Sequence, residues 1–210
     1  KKIGFNLMIL ITGLNGEMGS ALVQRLKELD VKNIIGLDIK PIKKSIKSFL
    51  TKSYIGDIKD KHLINKIFTE NKIEQVYHLA AILSTKAESL PFLSHQINVD
   101  GFLNLLYEIQ NYNTKVKFFF ASSIAVYHLD QNNNIKISED EFCNPSNMYG
   151  CNKLYCERIG SYFSKYSDLM NNLDFRSLRF SGIVSANTLP VGGTSDYAPE
   201  MIHNAVQNKS

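Results

Sequence analysis

A glycine-rich turn separates the first apolar stretch of this chain from its first amphipathic stretch. Residues 7–11 are all apolar, which predicts a strand buried on both faces, as in a parallel sheet. Gly13, Gly16 and Gly19 follow with the spacing Gly-x-x-Gly-x-x-Gly. In such turns one glycine permits the bend, another lets the backbone approach a ligand, and a third lets helix and strand pack closely. The order of strand, turn and helix predicts a phosphate-binding loop at a helix N-terminus.

Strand and helix patterns alternate along most of the chain. After residues 7–11, further strands are predicted at 33–38, 53–55, 75–79, 116–121 and 175–180. Helices are predicted from about residue 18 and at 61–71, 97–112, 148–166 and 197–207. Such alternation is typical of an α/β fold with a doubly wound parallel sheet, the Rossmann fold.

Composition narrows the classes of partner. The net charge is only +4 and the lysines are scattered, so no nucleic-acid surface is expected; the densest run, at 40–47, is predicted to be a solvated loop. Three cysteines and five histidines match no metal-site spacing, and reduced thiols are typical of a cytoplasmic protein. No apolar run reaches the ~18 residues of a membrane span, and the segment before residue 7 is too short for a signal peptide. We therefore expect a cytoplasmic protein with no metal and no membrane partner.

An acidic residue ends the second predicted strand. In dinucleotide-binding folds a carboxylate at this place accepts hydrogen bonds from the adenosine ribose hydroxyls. Asp38 would therefore favour NAD, because its charge repels the 2′-phosphate of NADP. Lys40, Lys43 and Lys44 lie close by and leave NADP open as an alternative, and a surface aspartate without a ligand role is the other.

A possible acid–base group follows the fifth predicted strand. Tyr149 and Lys153 are four residues apart in a predicted helix, so their side chains share one face. A phenol must lose its proton to act as a base, and a neighbouring ammonium favours the charged phenolate. Ser122 and Ser123 stand at the carboxyl end of the fifth strand, where doubly wound sheets bind ligands. Each feature alone is common, since serines also end strands and Tyr-x-x-x-Lys occurs on helix surfaces; their order carries the prediction.

With these features in order, the sequence resembles the extended short-chain dehydrogenases/reductases, the NAD-dependent epimerase/dehydratase family. Three further segments agree: Gly56-Asp57-Ile58, similar to the acidic segment that contacts the adenine; His78-Leu79-Ala80-Ala81, similar to the fourth-strand motif that lines the cofactor; and Ser122 to Tyr127, similar to the strand with the catalytic serine. Asn98 matches the structural asparagine of the family.

The resemblance implies roles for individual residues. The implied catalytic residues are Ser123, Tyr149 and Lys153. The implied NAD site consists of Gly13, Asn15, Gly16, Glu17, Met18, Gly19, Asp38, Asp57, Ile58, Leu79, Ala80, Ala81, Asn98, Tyr149 and Lys153. The implied substrate site consists of Ser84, Ser123, Tyr149, Gly193 and Thr194.

Within the family, the details resemble L-threonine 3-dehydrogenases. The similar segments are residues 78–84, 176–185 and 189–198, the last rich in glycine and hydroxyl side chains; Ser181 departs from the pattern, where proline is usual. The resemblance implies NAD-dependent oxidation of the L-threonine 3-hydroxyl to 2-amino-3-oxobutanoate, by a homodimer. It also implies an NAD-binding domain at 1–180 and, at 181–210, the start of a smaller substrate-binding region that is truncated.

Two other functions remain open from the sequence. A nucleotide-sugar epimerase or dehydratase of the same fold uses the same tyrosine and lysine but keeps its NAD bound. A non-catalytic NAD-binding protein would need only the fold and the glycine-rich loop. The hydroxyl-rich segment is also compatible with a flexible loop that binds nothing.

Overall fold

A single parallel sheet organises the chain in the computed structural model, which describes residues 8–128, 136–183 and 197–207. Its strands are β1 (Met8–Thr12), β2 (Ile34–Asp38), β3 (Lys52–Ile55), β4 (Ile73–His78), β5 (Val116–Ser123) and β6 (Leu173–Phe180). They lie in the order β3-β2-β1-β4-β5-β6, and every neighbouring pair is parallel. This is the strand order of the dinucleotide-binding fold, and it confirms the predicted doubly wound sheet.

Helices connect the strands. They are α1 (Glu17–Glu28), α2 (Lys44–Lys47), α3 (Lys61–Glu70), α4 (Ser84–Ser89), α5 (Pro91–His95), α6 (Gly101–Gln110), α7 (Met148–Lys165) and α8 (Tyr197–Val206). A π-helical turn, Gln96–Asp100, joins α5 directly to α6. The sequence did not predict α2, α4 and α5, and α2 lies in the lysine run interpreted as a loop. Each of these helices buries a single side chain, which is too little for a periodic pattern.

The core has two layers, one on each face of the sheet. Ile9 and Ile11 point to one face and pack with Val23 of α1 and Ile46 of α2. Leu10 points to the other face, into a larger cluster built from α3, α6 and the aromatic side chains Phe102, Phe118, Phe120 and Phe175. Because β1 is covered on both faces, residues 8–11 of this strand are all apolar, as the sequence predicted.

The sheet has a switch point between β1 and β4. From β1 the chain builds outward through β2 and β3 on one side, and from β4 through β5 and β6 on the other. In open α/β sheets, ligands bind in the crevice outside the carboxyl ends of the strands at such a point. Five sequence-predicted features stand at these strand ends: the glycine-rich loop, Asp38, the segments 56–58 and 78–81, and the serine pair 122–123. The topology therefore gathers them at one edge of the sheet.

Candidate active site

The glycine-rich turn packs tightly against two backbone segments. Gly13 has φ of 72°, and a Cβ added there would lie 2.6 Å from the backbone nitrogen of Ala80. A Cβ added at Gly19 would lie 2.5 Å from the carbonyl oxygen of Gly13 and 2.7 Å from that of Leu14. These two glycines therefore allow β1, α1 and the end of β4 to meet.

Gly16 has a different environment, at the N-cap of α1. In the part of the chain that the structure describes, the only atom near an added Cβ is the Gly13 carbonyl oxygen, at 3.2 Å. The space in front of Gly16 is therefore open at the N-terminus of a twelve-residue helix. Backbone N–H groups and the helix dipole favour an anion at such a place, so the loop fits a pyrophosphate.

Asp38 connects the end of β2 to the glycine-rich turn. Its Oδ2 accepts a hydrogen bond from the backbone nitrogen of Asn15 at 2.8 Å, and its Oδ1 accepts one from that of Lys40 at 2.9 Å. Each carboxylate oxygen can accept a second hydrogen bond, so the group fits the ribose hydroxyls of NAD while it holds the turn.

The Asn15 side chain forms hydrogen bonds with the loop after β2. Its Nδ2 donates to the carbonyl oxygens of Lys40 and Pro41, and its Oδ1 accepts from the backbone nitrogen of Lys43 at 3.0 Å. These contacts occupy both amide hydrogens. Asn15 thus anchors this loop through its side chain, and direct contact with a cofactor through that amide stays a prediction.

Tyr149 and Lys153 lie together at the carboxyl end of β5. Lys153 is only 4% exposed, and its Nζ donates to the carbonyl oxygen of Ala121 at 2.6 Å. The same Nζ lies 5.4 Å from the ring centroid of Tyr149 and 4.6 Å from that of Phe120. The predicted helical face is confirmed, and α7 directs it against the sheet. The ammonium keeps two more hydrogens that could serve a ligand.

The two serines at the end of β5 differ in their contacts. Ser123 is half-buried, and its Oγ accepts a hydrogen bond from the backbone nitrogen of Ala125 at 3.1 Å. Ser122 is buried, and its Oγ has no hydrogen-bond partner among the described residues. The start of α7 is pressed against the turn after Ser123, because a Cβ on Gly150 would overlap the carbonyl oxygen of Ala125.

The other sequence-predicted residues lie around this edge. Asp57 accepts from the backbone nitrogen of Lys59, and Ile58 is buried beside Gly101. After β4, the backbone nitrogen of Leu79 donates to the carbonyl oxygen of Thr12 and that of Ala80 donates to Thr12 Oγ1; Ala81 follows, half-buried. Glu17 and Met18 start α1, and Ser84 starts α4. Gly193 and Thr194 lie outside the described residues, so their place in a substrate site stays a prediction.

A buried polar network joins the loop after β4 to α7. Asn98, in the π-helical turn, accepts from the backbone nitrogen of Ile82 at 2.8 Å and donates to its carbonyl oxygen and to Ser94 Oγ. Ser94 Oγ donates to Oδ1 of Asn152, the residue before Lys153. Asn98 is among the residues predicted from the sequence, whereas Ser94 and Asn152 are not. The available signal was a polar residue at a core-facing position of a helix.

His78 is buried in the aromatic cluster as a neutral side chain. Its Nδ1 forms a hydrogen bond with Thr12 Oγ1 at 2.8 Å, and its ring lies between those of Phe102, Phe118 and Phe120. Burial, and secondarily the charge of Lys153, lower the pKa of His78 to about 3. His78 is therefore neutral in the folded state near neutral pH.

This depressed pKa makes stability depend on pH. Below pH 6.5 the unfolded chain protonates His78, whereas the folded chain does not until about pH 3. The free energy of unfolding should therefore decrease on acidification through that window, by up to about 1.4 kcal/mol per pH unit from this one proton. Denaturant titrations between pH 7 and pH 4 measure the slope.

A matched pair of variants isolates that contribution. In His78→Gln, the slope of unfolding free energy against pH should be smaller than in the parent by the contribution of one proton, up to about 1.4 kcal/mol per pH unit. His62→Gln, on the exposed surface of α3, should leave the slope as in the parent. Equal slopes for both variants would contradict the assignment to His78.

The described residues hold neither a metal-binding cluster nor a membrane-spanning helix. Within ranges 8–128, 136–183 and 197–207, no group of three or more His, Cys, Asp or Glu side chains is placed to hold a metal ion. No helix in these ranges has the length and apolar character needed to cross a bilayer.

The strand order and the glycine-rich loop define an α/β protein with the dinucleotide-binding fold. Comparison with known families places it more narrowly: residues 9–210 match the NAD dependent epimerase/dehydratase family, and the chain belongs to that family. An uncharacterized epimerase/dehydratase of Staphylococcus aureus (strain USA300) is 31% identical over 200 residues, which cover 95% of this chain and 60% of that protein. The chain thus spans about 60% of the length of the curated relatives it matches.

Solved structures include several L-threonine dehydrogenases. A monomeric L-threonine 3-dehydrogenase from a metagenome is 37% identical, with a TM-score of 0.76, over 95% of this chain and 61% of that one. The L-threonine 3-dehydrogenase of Trypanosoma brucei is 33% identical, with a TM-score of 0.82, over 96% and 61%. A UDP-glucose 4-epimerase of Thermus thermophilus in complex with NAD, 22% identical with a TM-score of 0.81 over 97% and 64%, shares the fold.

Proposed function

We propose that this chain is the NAD-binding part of an enzyme that oxidises L-threonine at its 3-hydroxyl, giving 2-amino-3-oxobutanoate, NADH and a proton. The observation that carries the proposal is the pairing of Tyr149 and Lys153 at the carboxyl end of β5, where Nζ of Lys153 donates to the carbonyl oxygen of Ala121 and lies 5.4 Å from the Tyr149 ring centroid. Ser123 is the last residue of the same strand. The solved threonine dehydrogenases, at 37% and 33% identity, support the choice of substrate.

The chain's own residues account for cofactor binding. Gly13 and Gly19 shape the loop that takes the pyrophosphate, Gly16 leaves room for it, and Asp38 accepts the adenosine ribose hydroxyls. Lys153 offers its remaining hydrogens to the second ribose. NAD, when bound, supplies the acceptor for the hydride that leaves C3 of the substrate.

Three side chains manage the substrate proton. Tyr149 removes the proton of the 3-hydroxyl, and Nζ of Lys153 lies beside it, 5.4 Å from the ring centroid. Ser123 donates a hydrogen bond to the substrate oxygen and holds it in reach of Tyr149. Because Lys153 is fixed by the carbonyl of Ala121, its charge stays in one place during the transfer.

The substrate's own charges guide the choice between candidates. Threonine has a carboxylate and an ammonium, and Ser84, Gly193 and Thr194 could supply hydroxyl and backbone N–H groups to that carboxylate. A nucleotide-sugar enzyme needs basic side chains for a diphosphate, and residues 181–198 contain no Lys or Arg. A sugar-nucleotide epimerase is nevertheless the second candidate, since a solved UDP-glucose 4-epimerase is 27% identical with a TM-score of 0.79.

A substrate panel tests the proposal. The full-length protein is incubated with NAD and, in parallel, L-threonine, L-serine or UDP-glucose, while NADH absorbance and sugar composition are followed. We expect NADH with L-threonine and far less with L-serine, and no epimerised sugar. Conversion of UDP-glucose without net NADH, and no reaction with threonine, would favour the epimerase instead.

The choice of cofactor is a separate prediction. NAD should bind more tightly than NADP, because the Asp38 carboxylate attracts the ribose hydroxyls and repels a 2′-phosphate. Asp38→Ala should weaken the binding of NAD roughly tenfold or more and the binding of NADP less, so that the preference for NAD over NADP becomes smaller. Calorimetric titration with both nucleotides measures the ratio.

Asn15→Ala is the control for loop geometry. This variant removes the side-chain contacts to the loop after β2 but keeps the Asp38 carboxylate. It should therefore weaken the binding of both nucleotides by the same factor. If Asp38→Ala also leaves the NAD/NADP ratio unchanged, the assigned role of its charge is wrong.

A further inference from the structure

A shielded ion pair joins β6 to α7. Nε of Arg179 lies 2.9 Å from Oε1 of Glu157, and Nη2 lies 2.7 Å from Oε2 of the same carboxylate. The two side chains are 16% and 7% exposed, and the carboxylate raises the pKa of Arg179 above its ordinary value. A two-point contact between planar groups has one preferred geometry. Glu157 lies one helical turn beyond Lys153 on α7. Through this contact, Arg179 fixes the orientation of α7 relative to the sheet.

The same guanidinium also contacts the turn after Ser123. Its Nη1 donates to the hydroxyl of Tyr127 at 2.6 Å, and its Cζ lies 4.7 Å from the centroid of that ring. Tyr127 ends the short turn that begins at Ser123. Nη1 also donates to the carbonyl oxygen of Glu139, in the segment that leads to α7. One rigid group thus contacts both segments that carry acid–base residues.

These two segments are in direct backbone contact. Gly150, the residue after Tyr149, packs against the carbonyl of Ala125, two residues after Ser123. The backbone nitrogen of His128 donates to the carbonyl oxygen of Phe142 at 3.0 Å, farther along the same two segments. A shift of the turn along α7 would therefore change the separation of Ser123 from Tyr149 directly.

Stability alone does not account for this arrangement. Buried ion pairs are weak contributors to stability, because desolvation offsets the attraction, and their better-supported role is to specify one geometry. An exposed pair on the same strand, Arg176 with Asp174, has the same two-point contact but reaches no other element in the part of the chain that the structure describes. The difference lies in what Arg179 connects.

We propose that Arg179 is a positioning residue that holds the Ser123 turn against the start of α7, with Tyr127 and Glu157 as its two attachment points. The inference rests on the proposed function, because the position of the turn affects the rate only if Ser123 and Tyr149 act on the substrate. Misplacement of a reacting group by about 1 Å is enough to lower a rate about 100-fold.

Two small substitutions test this in the full-length protein. Tyr127→Phe removes only the hydroxyl that accepts from Arg179. Arg179→Lys keeps the charge opposite Glu157 but cannot reach Glu157 and Tyr127 with a planar group. Arg176→Lys on the exposed side of β6 is the matched control. Steady-state kinetics and amide hydrogen exchange are measured for each.

The expected signature is a local loosening with a loss of turnover. In both variants kcat should fall at least about tenfold while the KM for NAD stays within about twofold. Exchange should accelerate at the amides of Ala125 and Gly150, which report on the Ser123 turn and the α7 N-terminus, but not in β1 or β4. The control should match the parent in every measurement.

The two failures can be told apart. If the parent has no threonine-dependent turnover, the proposed function fails, and exchange alone decides the inference: acceleration at Ala125 and Gly150 supports it, and parental exchange overturns it. If the parent is active and either variant keeps the parental kcat or the parental exchange at those amides, the positioning role of Arg179 is overturned while the proposed function stands.

Discussion

Replacing Tyr149 by Phe should lower the turnover of the full-length enzyme at least about 100-fold, the smaller end of what a positioned acid–base group contributes. The phenylalanine ring can still pack beside Lys153, so only the proton acceptor is lost. NAD affinity should therefore change little. Stopped-flow formation of NADH from L-threonine, with calorimetric titration of NAD, measures both quantities.

Tyr155 provides the control on the same helix. It is exposed on α7, away from the end of β5, so Tyr155→Phe should keep the parental rate. If Tyr149→Phe retains more than about a tenth of the parental rate, less than ~1.4 kcal/mol of the barrier depends on the phenol. Tyr149 would then not be the base.

Gly19→Ala should destabilise the fold and abolish useful NAD binding together. The added methyl group would lie 2.5 Å from the Gly13 carbonyl oxygen and 2.8 Å from Leu14 Cα, both backbone atoms that cannot rotate away. Helix α1 must shift away from β1, which should cost about 3 kcal/mol of unfolding free energy. The displaced N-terminus of α1 should also weaken the binding of NAD by roughly 100-fold, or about 2.7 kcal/mol.

Gly16→Ala separates packing from ligand approach. Its methyl group would meet only the Gly13 carbonyl oxygen among the described residues, at 3.2 Å, so this variant should lose much less stability than Gly19→Ala. The methyl group would instead occupy the space that the pyrophosphate needs, so NAD binding should weaken by more than the small loss of stability explains. Parental stability and parental affinity in Gly19→Ala would show that the loop does not work as described.

Local patterns predicted the sheet and the strand ends at which most of the proposed site residues lie. Each of these patterns depends only on residues that are close in sequence. They are the apolar strands, the glycine spacing and the four-residue interval from Tyr149 to Lys153. The parallel topology then brings their ends together, because the carboxyl ends of parallel strands share one edge. That is why Asp38 and Ser123 could be assigned to the same edge of the sheet from the sequence.

Contacts between distant residues could not be predicted in this way. Arg179 meets Glu157 across 22 positions, and Ser94 meets Asn152 across 58. Nothing in the periodicity of one helix or strand says which buried polar group on another element will pair with it. Likewise, the open packing at Gly16 and the close packing at Gly19 depend on the path of the β1 turn, so three similar glycines have different roles.

The most direct test of the central claim is the fate of the hydrogen on C3 of threonine. Full-length protein is incubated with NAD and L-threonine that carries deuterium at C3, and the reduced nucleotide is analysed by mass spectrometry. Direct hydride transfer predicts NADH that is heavier by one deuterium, together with 2-amino-3-oxobutanoate. Absence of labelled NADH from threonine, with UDP-glucose epimerised by the same preparation, would contradict the account.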